Sequence, residues 1–186
     1  APMPVLDLRN GPEQRGFLER TDIDDLAKRG TASPYHVIRI KAKPLILRKS
    51  VWSAGREAIK AALDGYASEY RSMFDRQAPS ADQPKKILSP DPKTIWMEGI
   101  GFIGLGNNAK AASVAGDLVV QNALVRAVGE DHGGFYPISE KDLFDCEYWS
   151  KKPYFSYFDW GHFPKPSAGA ADPQSEIDVI KNKQAF

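Results

Sequence analysis

The sequence predicts an α/β fold: a single small domain with parallel strands and crossover helices, flanked by irregular N- and C-terminal arms. Its 186 residues suit one hydrophobic core. Segments with strand-like and helix-like apolar periods alternate through the middle of the chain. Proline- and glycine-rich stretches lie at both ends. The predicted boundaries are an N-terminal arm over residues 1–16, an α/β domain over residues 17–150 and an aromatic-rich extended C-terminal arm over residues 151–186.

The first predicted elements are an arm, a short helix and a strand. Residues 1–16 contain three prolines and two glycines, which favours an arm over a regular element. The segment DIDDLAKR, which ends before Gly30, has acids in its first turn and bases in its last, as a helix dipole favours. In YHVIRIKAKPLIL, apolar Ile38 and Ile40 alternate with Arg39 and Lys41, and this period predicts a half-buried strand.

Two longer helices and a second strand follow. The segment between Ser53 and Ala78 is predicted to be a helix, because apolar and aromatic side chains recur in it at spacings of three and four. These side chains are Ile59, Leu63, Tyr66, Tyr70 and Phe74. The segment KTIWMEG predicts a buried strand, Asn108 can cap a helix that ends near Gly129, and Ser139 can start a last helix. The order strand, helix, strand, helix predicts parallel strands joined by a right-handed crossover.

Composition limits the classes of function. The formal charge is +1, from 25 basic and 24 acidic residues, so charge gives no reason to expect nucleic acid as a partner. Cys146 is the single cysteine, which argues against a Cys-rich zinc site and favours a reducing intracellular compartment, either the cytoplasm or the mitochondrial matrix. No apolar run approaches the ~20 residues that span a bilayer. We therefore expect no membrane span.

Four glycines form the most specific motif. Gly99, Gly101 and Gly104 match GxGxxG, with Gly106 two residues further on, after a predicted strand and before a predicted helix. In that context glycines let the backbone approach a dinucleotide pyrophosphate. The acidic residue expected about 20 residues later is missing, since that distance falls near Leu124. A tight turn that permits close packing is the alternative.

Other candidate chemistry is weaker. Tyr148 and Lys152 have a Tyr-x-x-x-Lys spacing used for proton transfer, but Pro153 disfavours a helix at Lys152. The histidines are isolated from one another, so no metal site is predicted. Asp145 and Glu147, two residues apart, are expected to point to different faces of a solvated acidic helix. We therefore predict no catalytic residue and no bound cofactor for this chain by itself.

Aromatic residues are concentrated near the C-terminus. Residues 144–163 hold nine of the chain's 20 Phe, Trp and Tyr residues, without a helical or strand period. Large exposed rings mark protein interfaces, although they can also fold back on their own domain. The predicted interface anchors are Tyr154, Phe155, Tyr157, Phe158, Trp160 and Phe163.

Three blocks together resemble a known family. RGTASPYHVIRIKAKPL, GIGFIGLGNNAKAASVAGDL and ISEKDLFDCEYWS resemble the bifunctional rhamnulose-1-phosphate aldolase/alcohol dehydrogenase family, a class II aldolase followed by a short-chain dehydrogenase, over about residues 17–150. The resemblance covers only the family's middle segment. The family's zinc-binding His-x-His lies upstream of this segment and its nucleotide loop lies downstream. The resemblance therefore assigns neither set of catalytic residues to this chain. Tyr35 and Glu98 depart from the family's usual Asp and Pro.

Three functions follow as hypotheses. The favoured one is a non-catalytic accessory subunit that binds other protein subunits through its two arms, in an assembly such as a mitochondrial one. The first alternative is a fragment of a sugar-phosphate aldolase/alcohol dehydrogenase that is active only with its missing zinc- and NAD-binding parts. The second alternative is an autonomous dinucleotide-binding module.

Overall fold

The computed structural model describes residues 3–148, which form one four-stranded sheet with helices around it. The strands are β1 (Val5–Arg9), β2 (Leu45–Leu47), β3 (Thr94–Met97) and β4 (Gly101–Gly106). The helices are α1 (Pro12–Leu18), α2 (Ile23–Lys28), α3 (Pro34–Ile40), α4 (Lys49–Trp52), α5 (Arg56–Gln77), α6 (Ala109–Asp131) and α7 (Glu140–Glu147). A 3₁₀ turn, Ala78–Ser80, ends α5.

The sheet confirms the α/β class and contains both parallel and antiparallel strand pairs. Its strand order is β1-β4-β3-β2. The pair β2 and β3 is parallel, and α5 lies in the connection between them, as the strand–helix–strand pattern predicted. The pairs β3–β4 and β1–β4 are antiparallel. The β3–β4 pair is antiparallel because only three residues separate the two strands, and so short a connection can only reverse the chain.

The N-terminal segment is regular rather than an irregular arm. Residues 5–9 pair along their whole length with β4, from Val5 opposite Gly106 to Arg9 opposite Phe102. The prolines flank this strand instead of interrupting it, and Pro12 opens α1, where its missing N–H costs nothing. Within residues 3–16, the predicted irregular arm is thus replaced by a strand and the beginning of a helix.

The segment predicted as the first strand is mostly a helix. Pro34 starts α3, which buries His36, Val37 and Ile40. Positions i, i+1 and i+4 lie on one helical face, so five alternating residues fit either period. The strand is only the later part of the segment, at Leu45–Leu47.

The main core lies between α6 and the sheet. Trp96 and Phe102 are buried there with Val119 and Ala123 of α6, and Phe17 of α1 packs edge-on against the Trp96 ring at 5.1 Å. Asn108 caps α6 as predicted, since its side-chain oxygen accepts from the Ala111 N–H, and Ser139 caps α7 in the same way. A second cluster joins α5 to α7 through Tyr70, Phe144 and Tyr148. Within the described part of the chain, no helix is long and apolar enough to cross a membrane.

Candidate functional site

A cavity of about 310 Å³ lies between α5, α7 and the segment that joins α3 to β2. We call it the Lys41 cavity. Its volume is at the lower end of the ~300–1,000 Å³ typical of small-molecule sites. Apolar and aromatic surface is combined with a few converging polar groups, which is also typical of such sites. The lining residues that matter below are Lys41, Tyr66, Tyr70, Met73, Phe144 and Glu147.

Lys41 is held in an unusual backbone conformation. It directly follows the last residue of α3 and has a φ of 64°, the only positive φ at a non-glycine residue among residues 3–148. A residue with a Cβ atom is strained there by roughly 1–2 kcal/mol. Lys41 is also only 6% exposed. Backbone strain at a buried polar residue that lines a cavity is a recurrent feature of functional sites.

Burial disfavours the charged form of Lys41. Its Nζ lies 3.4 Å from the centre of the Tyr70 ring and donates to the backbone carbonyl of Ser89. Burial lowers the pKa of Lys41 from 10.5 to about 8, because a charged amine loses its hydration, and the negative charge of Glu147 offsets part of that decrease. A substantial fraction of the amine is therefore neutral at mildly alkaline pH.

Tyr70 connects the cavity to a carboxylate. Its hydroxyl donates to Glu147 Oε1 at 2.8 Å and lies 2.7 Å from the Tyr148 hydroxyl. Since each hydroxyl has one proton, Tyr148 must donate to Tyr70 when Tyr70 donates to Glu147. The Leu88 N–H in turn donates to the Tyr148 oxygen at 3.2 Å. A directed chain of hydrogen bonds thus ends on Glu147.

The two carboxylates of α7 have different roles. Asp145 is exposed and forms an ion pair with Lys141 at 2.6 Å, as expected for a solvated helix face. Glu147 instead lines the cavity, and burial raises its pKa, against the opposing effects of the Tyr70 hydrogen bond and the Lys41 charge. The prediction that the two point to different faces is confirmed, but a solvated position for Glu147 is wrong.

A second buried polar group lies around His36. The Nδ1 atom of His36 is 2.7 Å from Ser33 Oγ. Burial lowers the His36 pKa, and the nearby charge of Arg126 adds to that decrease, so the imidazole is held neutral. Arg126 itself donates to the Leu26 carbonyl at 2.8 Å and lies over the Trp96 ring, which indicates a structural role. Within residues 3–148, no three His, Cys, Asp or Glu side chains converge as a metal-binding group.

The four glycines lie in and beside β4 rather than in a phosphate-binding loop. A Cβ atom on Gly104 would be 2.4 Å from the Gly116 nitrogen, and one on Gly106 would be 2.3 Å from the Ala112 nitrogen. Gly101 similarly abuts the carbonyl of Arg9, whereas Gly99 has open space beside it at a φ of +75°. Three of these glycines thus have a packing role, two of them against the backbone of α6. Dinucleotide binding at these positions stays a prediction.

The predicted interface anchors lie outside the described residues. They are Tyr154, Phe155, Tyr157, Phe158, Trp160 and Phe163, and Lys152 of the Tyr-x-x-x-Lys pair lies there too. Tyr148 is buried and hydrogen-bonded to Tyr70.

The Lys41 cavity was not predicted from the sequence. Lys41 was predicted to lie in a strand, and Tyr66 and Tyr70 were predicted to lie on the apolar face of a helix. The one available signal was the pair of tyrosines four residues apart on that face, because a buried hydroxyl needs a partner. The Tyr66 hydroxyl indeed donates to the Lys43 carbonyl at 3.0 Å.

Comparisons with known proteins give a family. The model for "Aldolase class II, second domain" matches residues 2–152. The chain is 26% identical over 171 residues to an uncharacterized oxidoreductase, YuxG, of Bacillus subtilis, a match that covers 82% of this chain and 24% of the relative. The chain thus spans about a quarter of the length of this curated relative.

One solved structure is also similar. It is YgbL from Escherichia coli, a candidate aldolase/epimerase/decarboxylase, with a TM-score of 0.46 and 10% identity over 76% of this chain and 56% of that one. The family match extends from the N-terminal strand through α7. This chain therefore belongs to the family of class II aldolase second domains.

Proposed function

We propose that this chain is a ligand-binding part of a larger aldolase-type enzyme and that the Lys41 cavity binds a small hydroxylated carbonyl compound, such as a sugar phosphate or its cleavage product. The observation that carries the proposal is the convergence of Lys41, Tyr70 and Glu147 on one cavity. These residues come from three separate elements. Their meeting follows from the tertiary fold.

The polar groups of the cavity suit such a ligand. A carbonyl oxygen accepts hydrogen bonds, and Lys41 supplies a donor at the cavity wall. Ligand hydroxyls donate, and the Glu147 carboxylate supplies an acceptor. Met73 and Phe144 line the same cavity and can pack against the carbon chain. The charge of Lys41 also favours an anionic phosphate or carboxylate on the ligand.

In this proposal, zinc- and NAD-dependent steps belong to other parts of the enzyme. The Bacillus subtilis relative is named an oxidoreductase and is about four times as long as its matched part. The sequence blocks resemble the bifunctional rhamnulose-1-phosphate aldolase/alcohol dehydrogenase family, which supports a paired aldolase and dehydrogenase. Among residues 3–148, no three His, Cys, Asp or Glu side chains converge as a metal-binding group, and three of the four glycines of the motif pack on α6 or β1.

Ligand-induced stabilisation tests the proposal. The melting temperature of the full chain is measured with millimolar dihydroxyacetone phosphate, and it should rise because the ligand binds only the folded state. The rise should be lost in Lys41→Met and retained in Lys86→Met, which removes a lysine outside the cavity lining. An equal rise in all three proteins, or none in the wild type, would contradict the proposal.

A protein-contact role is a second candidate, and it has its own observation. Strand β1 is at an edge of the sheet, and its Leu6 and Leu8 are 60% and 48% exposed. They lie opposite Leu105 and Ile103 of β4 and form an apolar strip beside a strand edge that no other strand of residues 3–148 pairs with. Such an edge can accept a strand from another domain or subunit of the same enzyme. An accessory role is compatible with this contact, and a purely accessory chain would bind no carbonyl compound in the Lys41 cavity.

A further inference from the structure

Helix α6 is apolar on two opposite sides. Its inner side buries Val119 and Ala123 against the sheet. On its outer side, Val114, Val125 and Val128 are 40%, 42% and 50% exposed. A helix that is apolar all round is normally covered all round. The outer side of α6 therefore has the character of an interface.

The residues of the outer side form one continuous line, which we call the outer stripe. Val114, Leu118, Gln121, Val125 and Val128 follow one another at intervals of four, three, four and three residues. This repeat keeps them on one side of the helix, as in the seam of a coiled coil. Four of the five are aliphatic, and the polar residue is at the centre. Such a stripe is complementary in shape to another helix rather than to a small molecule.

We propose that the outer stripe binds a second copy of this chain, with the two α6 helices antiparallel about a two-fold axis beside Gln121. This surface is separate from the Lys41 cavity, and the proposal does not depend on the ligand proposed there. A two-fold contact uses the same patch on both copies, so the patch must be complementary to itself. The spacing of apolar residues, the placement of charges and the central amide of α6 all meet this condition.

The apolar residues are spaced symmetrically about Gln121. Val114 and Val128 are each seven residues from it, and Leu118 and Val125 are three and four residues from it, on opposite sides. Antiparallel packing therefore brings Val114 of one copy against Val128 of the other. Leu118 of one copy in the same way meets Val125 of the other. Every aliphatic residue of the outer stripe thus has an aliphatic partner.

The charges at the two ends of α6 suit an antiparallel arrangement. Lys110 is exposed in the first turn of α6, and Asp131 is its last residue. They are eleven and ten residues from Gln121, on opposite sides. The Asp131 side chain is paired with Arg20 and is still 55% exposed. At the shallow crossing angle of about 20° that is usual for such seams, Lys110 of one copy lies near Asp131 of the other. The helix dipoles also oppose each other in this arrangement.

The central amide fixes the alignment of the two helices. Gln121 is exposed, and its amide has N–H donors and an accepting oxygen, so two copies at the two-fold axis can donate to each other. Its side chain also interacts with His36, and the amide has enough groups for both contacts. A shifted alignment would place the amide against aliphatic side chains. A single polar residue in an apolar seam specifies alignment in this way.

The oligomeric state of the full chain tests the contact. Sedimentation equilibrium at micromolar concentrations should give twice the 20.6 kDa mass of one chain. Val125→Lys should raise the dissociation constant about tenfold or more, because it places a charge in the apolar seam of both copies. Leu6→Lys is the matched control, since it changes an exposed aliphatic residue of β1 and should leave the mass unchanged.

Cysteine cross-linking tests the arrangement in a Cys146→Ser background. Gln121→Cys should form a disulfide-linked dimer under mild oxidation, because both copies of this position lie beside the two-fold axis. Val114→Cys alone should not, because its two copies are separated along the helices by roughly 21 Å, and a disulfide needs Cα atoms within about 7 Å. A mixture of the Val114→Cys and Val128→Cys proteins should form the linked pair.

Each outcome decides the proposal. A doubled mass that is lost in Val125→Lys, with cross-links in Gln121→Cys and in the mixed pair only, supports it. A full chain that sediments as a monomer overturns it, and so does a dimer that survives Val125→Lys or dissociates in Leu6→Lys. Cross-linking of Val114→Cys by itself overturns the antiparallel arrangement. The ligand-dependent rise in melting temperature tests the Lys41 cavity separately, so failure of one proposal is distinguishable from failure of the other.

Discussion

The amine nitrogen of Lys41 lies 3.4 Å from the centre of the Tyr70 ring, and the hydroxyl of the same ring donates to Glu147 at 2.8 Å. One tyrosine therefore contacts a base through its face and an acid through its hydroxyl. The contact with the base is a cation–π attraction when the Lys41 amine is protonated, and burial strengthens it. Substitutions at Tyr70 should consequently affect stability and the protonation of both neighbours.

Replacing Tyr70 by Phe should lower the free energy of unfolding by about 1–3 kcal/mol, because Glu147 loses a donor and Tyr148 loses a partner within a buried network. Chemical denaturation at neutral pH measures the loss. Tyr66→Phe is the matched control, since it removes a hydroxyl that donates only to the Lys43 carbonyl, and about 0.5–1.5 kcal/mol is expected. A Tyr70→Phe protein as stable as the wild type would contradict the directed hydrogen-bond chain.

Replacing Lys41 by Met should change how stability depends on pH. The folded-state pKa of Lys41, about 8, is below its ordinary value of 10.5, so the unfolded chain binds more protons between these pH values. Wild-type stability should therefore rise relative to Lys41→Met as the pH increases from 8 to 10.5. Glu147, Tyr70, Asp91 and Lys93 surround this amine, and all four are retained in the variant.

Denaturation of both proteins at several pH values across that range checks the sign. Lys43→Met serves as a control for the loss of a lysine, because Lys43 lines the same cavity and forms an ion pair with Glu69. A flat difference between the wild type and Lys41→Met, or a difference of the opposite sign, would mean that Lys41 is not desolvated.

Replacing Gly104 by Ala should disrupt the packing of α6 on β4. The new Cβ atom would be 2.4 Å from two backbone atoms of α6, so the helix would have to move, at a cost of about 3 kcal/mol or more. The melting temperature measures the loss. Gly16→Ala in α1 is the control, because nothing lies within 4 Å of its added methyl group, and it should raise stability by about 0.5–1 kcal/mol. A Gly104→Ala protein of normal stability would be evidence against the packing role.

Removing the chain from Lys152 onward tests the accessory hypothesis. If Tyr154, Phe155, Tyr157, Phe158, Trp160 and Phe163 anchor a protein partner, the truncated chain should lose that partner in a pull-down, because buried aromatic anchors contribute ~2 kcal/mol or more each. The comparison uses the full chain and a variant with Leu6→Lys on β1, which separates contact through the aromatic segment from contact through the strand edge. Equal recovery of the same partner by the full and truncated chains would remove the proposed docking role of the aromatic segment.

The elements that could be predicted are those with local signals. The period of Ile59, Leu63, Tyr66, Tyr70 and Phe74 predicted α5, and Asn108 and Ser139 marked the starts of α6 and α7. The prediction of a strand over residues 35–41 was wrong, because the alternation of apolar and charged residues also fits one and a half turns of helix. Pro34 at the first helical position favours the helix over the strand. Strand β1 was missed since its pairing with β4 joins residues about a hundred positions apart.

The candidate site could not be predicted for the same reason. Lys41, Tyr70 and Glu147 are far apart in sequence and meet only after α3, α5 and α7 have packed together. The glycine motif was visible but ambiguous, because close approach of a helix and close approach of a phosphate both require the absence of a Cβ atom. In the structure, the group that lies close to Gly104 and Gly106 is the backbone of helix α6.

The central claim is that the cavity holds a desolvated and partly neutral Lys41 amine. An NMR titration of the lysine ε-methylene signals of the full chain measures this most directly. The Lys41 signal is assigned from its loss in Lys41→Arg. The account predicts a midpoint of about 8 for Lys41. A Lys41 midpoint near the ordinary value of ~10.4 would contradict it.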